Sequence, residues 1–403
     1  MPATQNALTN SAALGLRPAR FELIDRLIDT YLEKNFEQFV VTQVARRGQL
    51  VYDVAAGSNT KEYGVRSDTI LQVGSVSKPV IAAILLSLQE DGLVSLFAPV
   101  NAYLPEFGAG GYNQIMLWHL LTHSSGVIDA ELTAAVAELV EKETGLKFPG
   151  PGPGLKDYKK SVCEKMGIEY DPENKDRMRD PLYALAFKCP PKNKPRVTID
   201  YSHFNYDALG HVITTVTGKS IDEVAAGRLF GPLGMTDSYY RVPEDKWHKV
   251  LGRTDDCLAI KYNNVDSYVS ESGGEGLKTS VADMTRFGQM VVNGGELGGK
   301  RVLSRASIRS MLKDHNGPIE PLRAGGELPA YTLGWGSMSG YKKDDGGFLR
   351  GGVFQGGFGG VWINVDPAEE LVVSIITGRK KTPRGSYMPL YDPITNIVYS
   401  ALD

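Results

Sequence analysis

A serine and a lysine three residues apart, Ser75 and Lys78 in Gly74-Ser75-Val76-Ser77-Lys78-Pro79, face the same side of a helical segment, so the amine can reach the hydroxyl it would have to activate. That is a nucleophile with its base. The same spacing occurs at Ser58/Lys61, Ser310/Lys313 and Ser339/Lys342, and context separates the four. Ser58 lies in a polar run, and Ser339 lies between Gly336 and Gly346 in a stretch that reads as a loop. Ser310 falls on the polar face of an amphipathic pattern with Ile308, Met311 and Leu312. Ser75 differs, because Ile70-Leu71-Gln72-Val73 leads into it and Val80-Ile81-Ala82-Ala83-Ile84-Leu85-Leu86 follows it. A helix apolar on nearly all sides is a buried one. Ser75 is therefore expected at the N-terminus of a central helix, with Pro79 early enough in it to be tolerated.

The chain has 403 residues, enough for a large core and two lobes, since single cores seldom grow beyond roughly 250–300 residues. A net charge of −3 offers no electrostatic footprint for nucleic acid or an anionic membrane, which points to a small-molecule partner. Met1 to Arg20 contain no apolar core of the length a signal peptide needs, and no apolar run is long enough to span a membrane; a soluble, cytoplasmic protein is expected. The three cysteines, Cys163, Cys189 and Cys257, are odd in number and widely spaced, which argues against a disulfide framework or a zinc site.

The elements that must position Ser75 follow from patterning. Leu23, Ile24, Leu27, Ile28, Tyr31 and Leu32 recur at helical spacing, and Phe39–Val44 and Gln49–Val54 read as strands around a turn at Arg46-Arg47-Gly48. Helical patterns run through Ile115–Leu121, Ala134–Val140, Tyr206–Ile213 and Ile221–Leu229, and beyond Gly273-Gly274 through Val281–Val292 and Ser304–Leu312. Ser220 and Glu223 form a capping box. Gly218-Lys219-Ser220 is no P-loop, because Ile213 stands where its first glycine must be. Strand patterns return at Tyr331–Gly336, Val361–Val365 and Leu371–Ile376, and a last helix covers Ile394–Ala401. Between Gly145 and Pro195 a Pro/Gly-rich, charge-dense stretch reads either as a wall or lid of a substrate pocket or as a solvated insertion. The expected fold is α/β: a discontinuous domain, residues 1–74 and 265–403, with an antiparallel sheet flanked by terminal helices, and an inserted, mostly helical domain, 75–264. The cleft between them is the expected site.

Several stretches together resemble the serine β-lactamase-like family, in the branch that holds class C β-lactamases, D-alanyl-D-alanine peptidases and the family VIII-type esterases and acyltransferases. Besides Ser75-Val76-Ser77-Lys78 these are Leu120-Leu121-Thr122-His123-Ser124-Ser125-Gly126, Tyr201-Ser202-His203 with Tyr206 and Leu209-Gly210, Pro232-Leu233-Gly234-Met235, Gly273-Gly274 with Asp283 and Phe287, and Gly334-Trp335. The resemblance runs from about Phe21 to near the C-terminus. It implies that Ser75 forms a covalent acyl-enzyme, with Lys78 and Tyr201 as the coupled pair from which the acylation base is drawn. It also implies an oxyanion hole of the Ser75 and Phe358 backbone N–H groups, Phe358 following the strand motif Gln355-Gly356-Gly357. His123 corresponds to a structural histidine of the family. No metal or organic cofactor is implied.

Two departures bear on substrate. Gln355 stands where β-lactamases and transpeptidases of the family carry lysine or histidine, and His203 stands where they carry asparagine. An uncharged amide cannot pair with a substrate carboxylate, so β-lactam and peptidoglycan substrates lose support and esters gain it. His203 either touches the substrate, tunes Lys78 or fills space as a hydrogen-bonding partner. With Gln355, Gly356 and Gly357 it completes the expected substrate-binding set. The absence of a G-x-S-x-G elbow argues against an α/β-hydrolase. The expectation is a serine hydrolase or acyltransferase acting on carboxylic esters or related acyl donors. The rivals are a β-lactamase or D-amino-acid peptidase, and a non-hydrolytic member that uses the pocket for binding or another reaction.

Overall fold

The computed structural model describes residues 4–5, 11–150, 154–171, 180–317, 330–337, 351–382 and 388–403. The strands of its main sheet are β1 (Thr4–Gln5), β2 (Glu37–Arg46), β3 (Gln49–Gly57), β4 (Ala330–Tyr331), β5 (Gly336–Ser337), β6 (Val353–Gly357), β7 (Val361–Asp366) and β8 (Leu371–Arg379). They form one antiparallel sheet in the order β1-β3-β2-β8-β7-β6-β5-β4, so strands from the two ends of the chain meet where β2 pairs with β8. Every residue of β2 is buried because both faces of the sheet are covered. Val40 and Val44 pack with Ile24 and Ile28 of α1 (Phe21–Glu33) and with Ile394 and Val398 of the C-terminal helix Tyr391–Ser400. Phe39 and Val41, one residue out of phase, join the larger core on the opposite face.

That larger core surrounds α2 (Ser77–Glu90), in which all residues from Ser77 to Leu88 are buried. Burial of its Val, Ile and Leu side chains contributes about 1.5–3 kcal/mol each, and Pro79 is tolerated because it stands in the first turn, where the N–H it lacks has no intrahelical acceptor. Around it stand α3 (Leu117–Leu121), α4 (Asp129–Thr144), α5 (Leu155–Met166), α6 (Pro181–Ala186) and α7 (His203–Thr217). The described residues of the 145–195 stretch thus carry two helices, and its Tyr158, Val162 and Leu185 belong to the core.

The structure corrects one expected strand. Tyr331–Gly336 is two short strands joined by a turn, with Tyr331 paired to Gly336 and Ala330 to Ser337. Gly334, at φ 90°, makes the turn possible, and a Cβ there would stand 3.0 Å from the Lys78 carbonyl. The turn is pressed onto α2, and Trp335 is fully buried beside Phe287. The Ser220/Glu223 capping box is present, and all three cysteines are free and buried. Among the described residues no helix is long and apolar enough to cross a membrane. Ser339 and Lys342 lie outside the described residues.

Candidate active site

Ser75 sits in a single 3-10 turn, Gly74–Val76, that feeds directly into α2. The expectation of Ser75 at the helix N-terminus holds, with the tighter turn as the local detail. Two anchors fix it. Ser77 Oγ donates to the Gly74 carbonyl at 2.7 Å and accepts from Leu277 N–H at 2.9 Å, while Val73 N–H donates to the Leu277 carbonyl at 3.1 Å. These bonds extend the short ladder Leu71–Thr279 and Gln72–Lys278, so the turn that carries Ser75 is clamped to the segment 273–279.

Lys78 is fully buried. Its Nζ lies 3.2 Å from Ser75 Oγ and donates to the Gly274 carbonyl at 2.8 Å. It also stands over two aromatic rings, 4.7 Å from the centre of Tyr201 and 5.3 Å from that of Tyr206, which stabilises a cation without a carboxylate. The two tyrosines differ. Tyr206 donates its hydroxyl to the Leu121 carbonyl at 2.6 Å, and burial holds it well above its ordinary value, so it stays a neutral donor. The Tyr201 hydroxyl accepts instead from Gln355 Nε2 at 3.4 Å.

Tyr201 is held by its neighbours. His123, at φ 57°, occupies the left-handed region, a conformation that costs a non-glycine residue about 1–3 kcal/mol. In return its carbonyl accepts from Asp200 N–H at 3.0 Å, its Nδ1 accepts from Ser202 N–H at 3.1 Å, and its ring lies on that of Tyr201 with centroids 4.4 Å apart. Burial, with Lys78 nearby, holds the imidazole well below its ordinary value and hence neutral. His123 is a scaffold for the Tyr201 segment, as its structural reading implied.

Ser202 caps α7, and Asp129 completes the cap by accepting from Ser202 Oγ at 2.6 Å and from His203 N–H at 2.7 Å. His203 points toward Gly274, where an added Cβ would stand 3.4 Å from His203 Nδ1. Burial, then Lys78, depresses its imidazole, against the opposing pull of Glu275, Asp129 and Asp207. No hydrogen bond joins the His203 ring to Lys78 among the described residues.

Gln355, Gly356 and Gly357 lie on β6. Gln355 is only 6 % exposed, and besides Tyr201 its amide donates to the Gly356 carbonyl at 3.0 Å. A Cβ on Gly357 would meet the Val73 carbonyl at 2.1 Å, so only glycine lets β6 press against the chain entering Ser75. Gly356 is under no such constraint. Phe358 follows in the turn to β7, with its backbone N 3.0 Å from where a Cβ on Gly74 would be. Its ring is 48 % exposed and meets Tyr262 edge-on. Thus Ser75, Lys78, Tyr201, Gln355 and the Phe358 N–H converge from α2, the start of α7 and the end of β6.

Sequence reasoning overlooked the residues that hold this group. Gly274 is one, although the pair Gly273-Gly274 was visible: a Cβ on Gly273 would stand 2.0 Å from the Tyr206 carbonyl. Asp129 and Asp207 are others. Asp207 accepts from Tyr183 Oη at 2.8 Å, Ser272 Oγ at 2.6 Å and Gly274 N–H at 3.3 Å, and no sequence pattern announces a buried carboxylate bridging α6 to residues 272–274.

Similarity to known proteins agrees with this arrangement. Esterase EstB of Burkholderia gladioli is 28% identical over 239 residues, which is 56% of this chain and 55% of that protein. The chain therefore matches little more than half the length of that relative. Lovastatin esterase of Penicillium rubens is 26% identical over 69% of either chain. Among solved structures, a family VIII carboxylesterase superposes with a TM-score of 0.70 at 19% identity, covering 96% of this chain and 99% of its own. A class C beta-lactamase superposes with a TM-score of 0.65 at 17% identity, covering 96% and 97%. At such identities the solved structures speak for the fold. The family model described as Beta-lactamase matches residues 24–393, nearly the whole chain, and the protein belongs to that family.

Proposed function

We propose that the protein is a serine esterase or acyltransferase that acts on carboxylic esters through an acyl-Ser75 intermediate. The observation that carries the reading is the fully buried Lys78 amine 3.2 Å from Ser75 Oγ, at the end of a glycine-lined strand. Lys78 takes the Ser75 hydroxyl proton as Oγ attacks the ester carbonyl. The N–H groups of Ser75 and Phe358 receive the oxyanion. The tetrahedral intermediate then collapses, the C–O bond to the alcohol breaks, and the proton passes to the leaving oxygen through the Lys78/Tyr201 pair. Water or a second alcohol attacks the acyl-enzyme by the same route in reverse.

Gln355 supports an ester over a β-lactam. Its amide is turned to Tyr201 and to its own strand, and an uncharged group there has no charge-assisted bond to offer a substrate carboxylate. The names of EstB and of lovastatin esterase point the same way. Turnover of a p-nitrophenyl ester compared with that of a chromogenic cephalosporin tests the choice. The ester is expected to be faster by at least about tenfold in kcat/KM, a difference of 1.4 kcal/mol. Equal rates would favour the β-lactamase reading.

A further inference from the structure

We propose that α4, Phe148, α5, α6 and the start of α7 form the pocket for the acyl group of the ester, and that this group is large and apolar; the inference rests on the esterase reading above. A cavity of about 420 Å³ lies beside the site. Leu132 and Val136 of α4, Phe148, Tyr158 and Leu182 of the 145–195 stretch, and Phe204 of α7 give it an apolar, partly aromatic interior. Charge is confined to Asp129, Lys261 and Glu275, and His203 and Thr133 are further polar members of the lining. His203 links the cavity to the reacting groups: its Nδ1 lies 3.4 Å from where a Cβ on Gly274 would stand, and the Gly274 carbonyl holds Lys78.

The orientation selects acyl over alcohol. The leaving oxygen must take its proton near Tyr201 Oη, which faces Gln355, and neither Tyr201 nor Gln355 lines the cavity. The carbonyl's other substituent is the acyl chain, and it is directed to the His203 and Glu275 side. Size then sets the class. A cavity of roughly 150 Å³ holds a benzene, so this one has room for a long alkyl or a fused-ring acyl group and is poorly filled by acetyl. The wall is also tied to the catalytic residues, because Tyr183 of α6 bonds Asp207 and Asp207 in turn bonds Gly274.

The test is kcat/KM on p-nitrophenyl acetate, hexanoate and decanoate, beside hexyl and decyl acetate, for the wild type and for Ala137→Trp and Leu182→Trp, which fill the cavity from two walls. The wild type is expected to gain at least tenfold from acetate to decanoate, since each well-buried methylene is worth up to about fourfold, and to stay within threefold across the alcohol series. Both tryptophan variants are expected to erase that gain, with kcat/KM for decanoate falling at least tenfold more than that for acetate. A flat acyl series, a gain that follows the alcohol, or equal losses on all acyl chains in both variants overturns the pocket while leaving serine chemistry intact. Failure of every ester, acetate included, to acylate Ser75 overturns both readings.

Discussion

Lys78 Nζ is closer to the Gly274 carbonyl, at 2.8 Å, than to Ser75 Oγ, at 3.2 Å. The amine is thus aimed by a backbone acceptor that belongs to another part of the chain, with the Tyr201 ring beneath it. Lys78→Met and Tyr201→Phe are each expected to lower the rate of Ser75 acylation by about 10²–10⁴, the range for loss of a general base. Single-turnover kinetics with an activated aryl ester measures it, and near wild-type rates in either variant would mean that the base lies elsewhere.

Asp207 joins α6 to that acceptor through Tyr183, Ser272 and Gly274. Asp207→Asn keeps the shape but replaces one acceptor oxygen by a donor. Hydrogen bonds to a charged group contribute about 1.5–3 kcal/mol each, so urea unfolding is expected to show a loss of that order, accompanied by a lower kcat. A variant as stable and active as wild type would show that the bridge does not hold Gly274.

Gly334 and Gly145 both have positive φ, 90° and 74°, but only Gly334 is crowded, with Ala82 Cβ 2.9 Å and the Lys78 carbonyl 3.0 Å from an added Cβ. Gly145→Ala carries conformational strain alone, about 1–2 kcal/mol. Gly334→Ala adds overpacking against α2, a further 1–3 kcal/mol or so. Denaturant melts of the two variants separate the contributions, and equal losses would remove the close approach as an explanation for the broken strand.

Glu37 is buried at the end of β2, and burial pushes its carboxyl from 4.5 up to about 8, against the pull of Arg379 and Lys380. A raised folded-state value means that the folded protein keeps the proton that the unfolded chain releases. Its contribution is fully present below pH 4.5 and is lost as the pH rises toward 8, by roughly 1 kcal/mol per pH unit. Glu37→Gln stays neutral throughout, so the stability of wild type relative to the variant is expected to fall from pH 5 to pH 8.5. A pH-independent difference between the two would place Glu37 in an ionised state.

What could be read in the chain beforehand was what local pattern encodes. The apolar run behind Ser75, the β-branched runs of β2 and β8 and the cap at Ser220 all appear where patterning and capping chemistry put them. Tyr331–Gly336 failed because its apolar residues turn onto α2, a tertiary contact that no window of sequence contains. The motifs that carry Ser75, Lys78 and Tyr201 were legible, and the fold brings the three together. Asp129, Asp207 and the Gly274 carbonyl were not, since they act across separations of about 70 to 200 residues and their types are ordinary. The 145–195 stretch was ambiguous for a related reason: its glycines and prolines announce a break in regular structure, whereas its aromatic side chains find the core only once α4 and α7 are in place.

The central claim is that Ser75 carries the acyl group. Intact-protein mass spectrometry after brief exposure to a fluorophosphonate, and separately to a short-chain aryl ester, tests it most directly. The account predicts a single adduct of the corresponding mass, mapped to Ser75 by peptide digestion and absent from Ser75→Ala. No adduct, or an adduct that persists in Ser75→Ala, would contradict it.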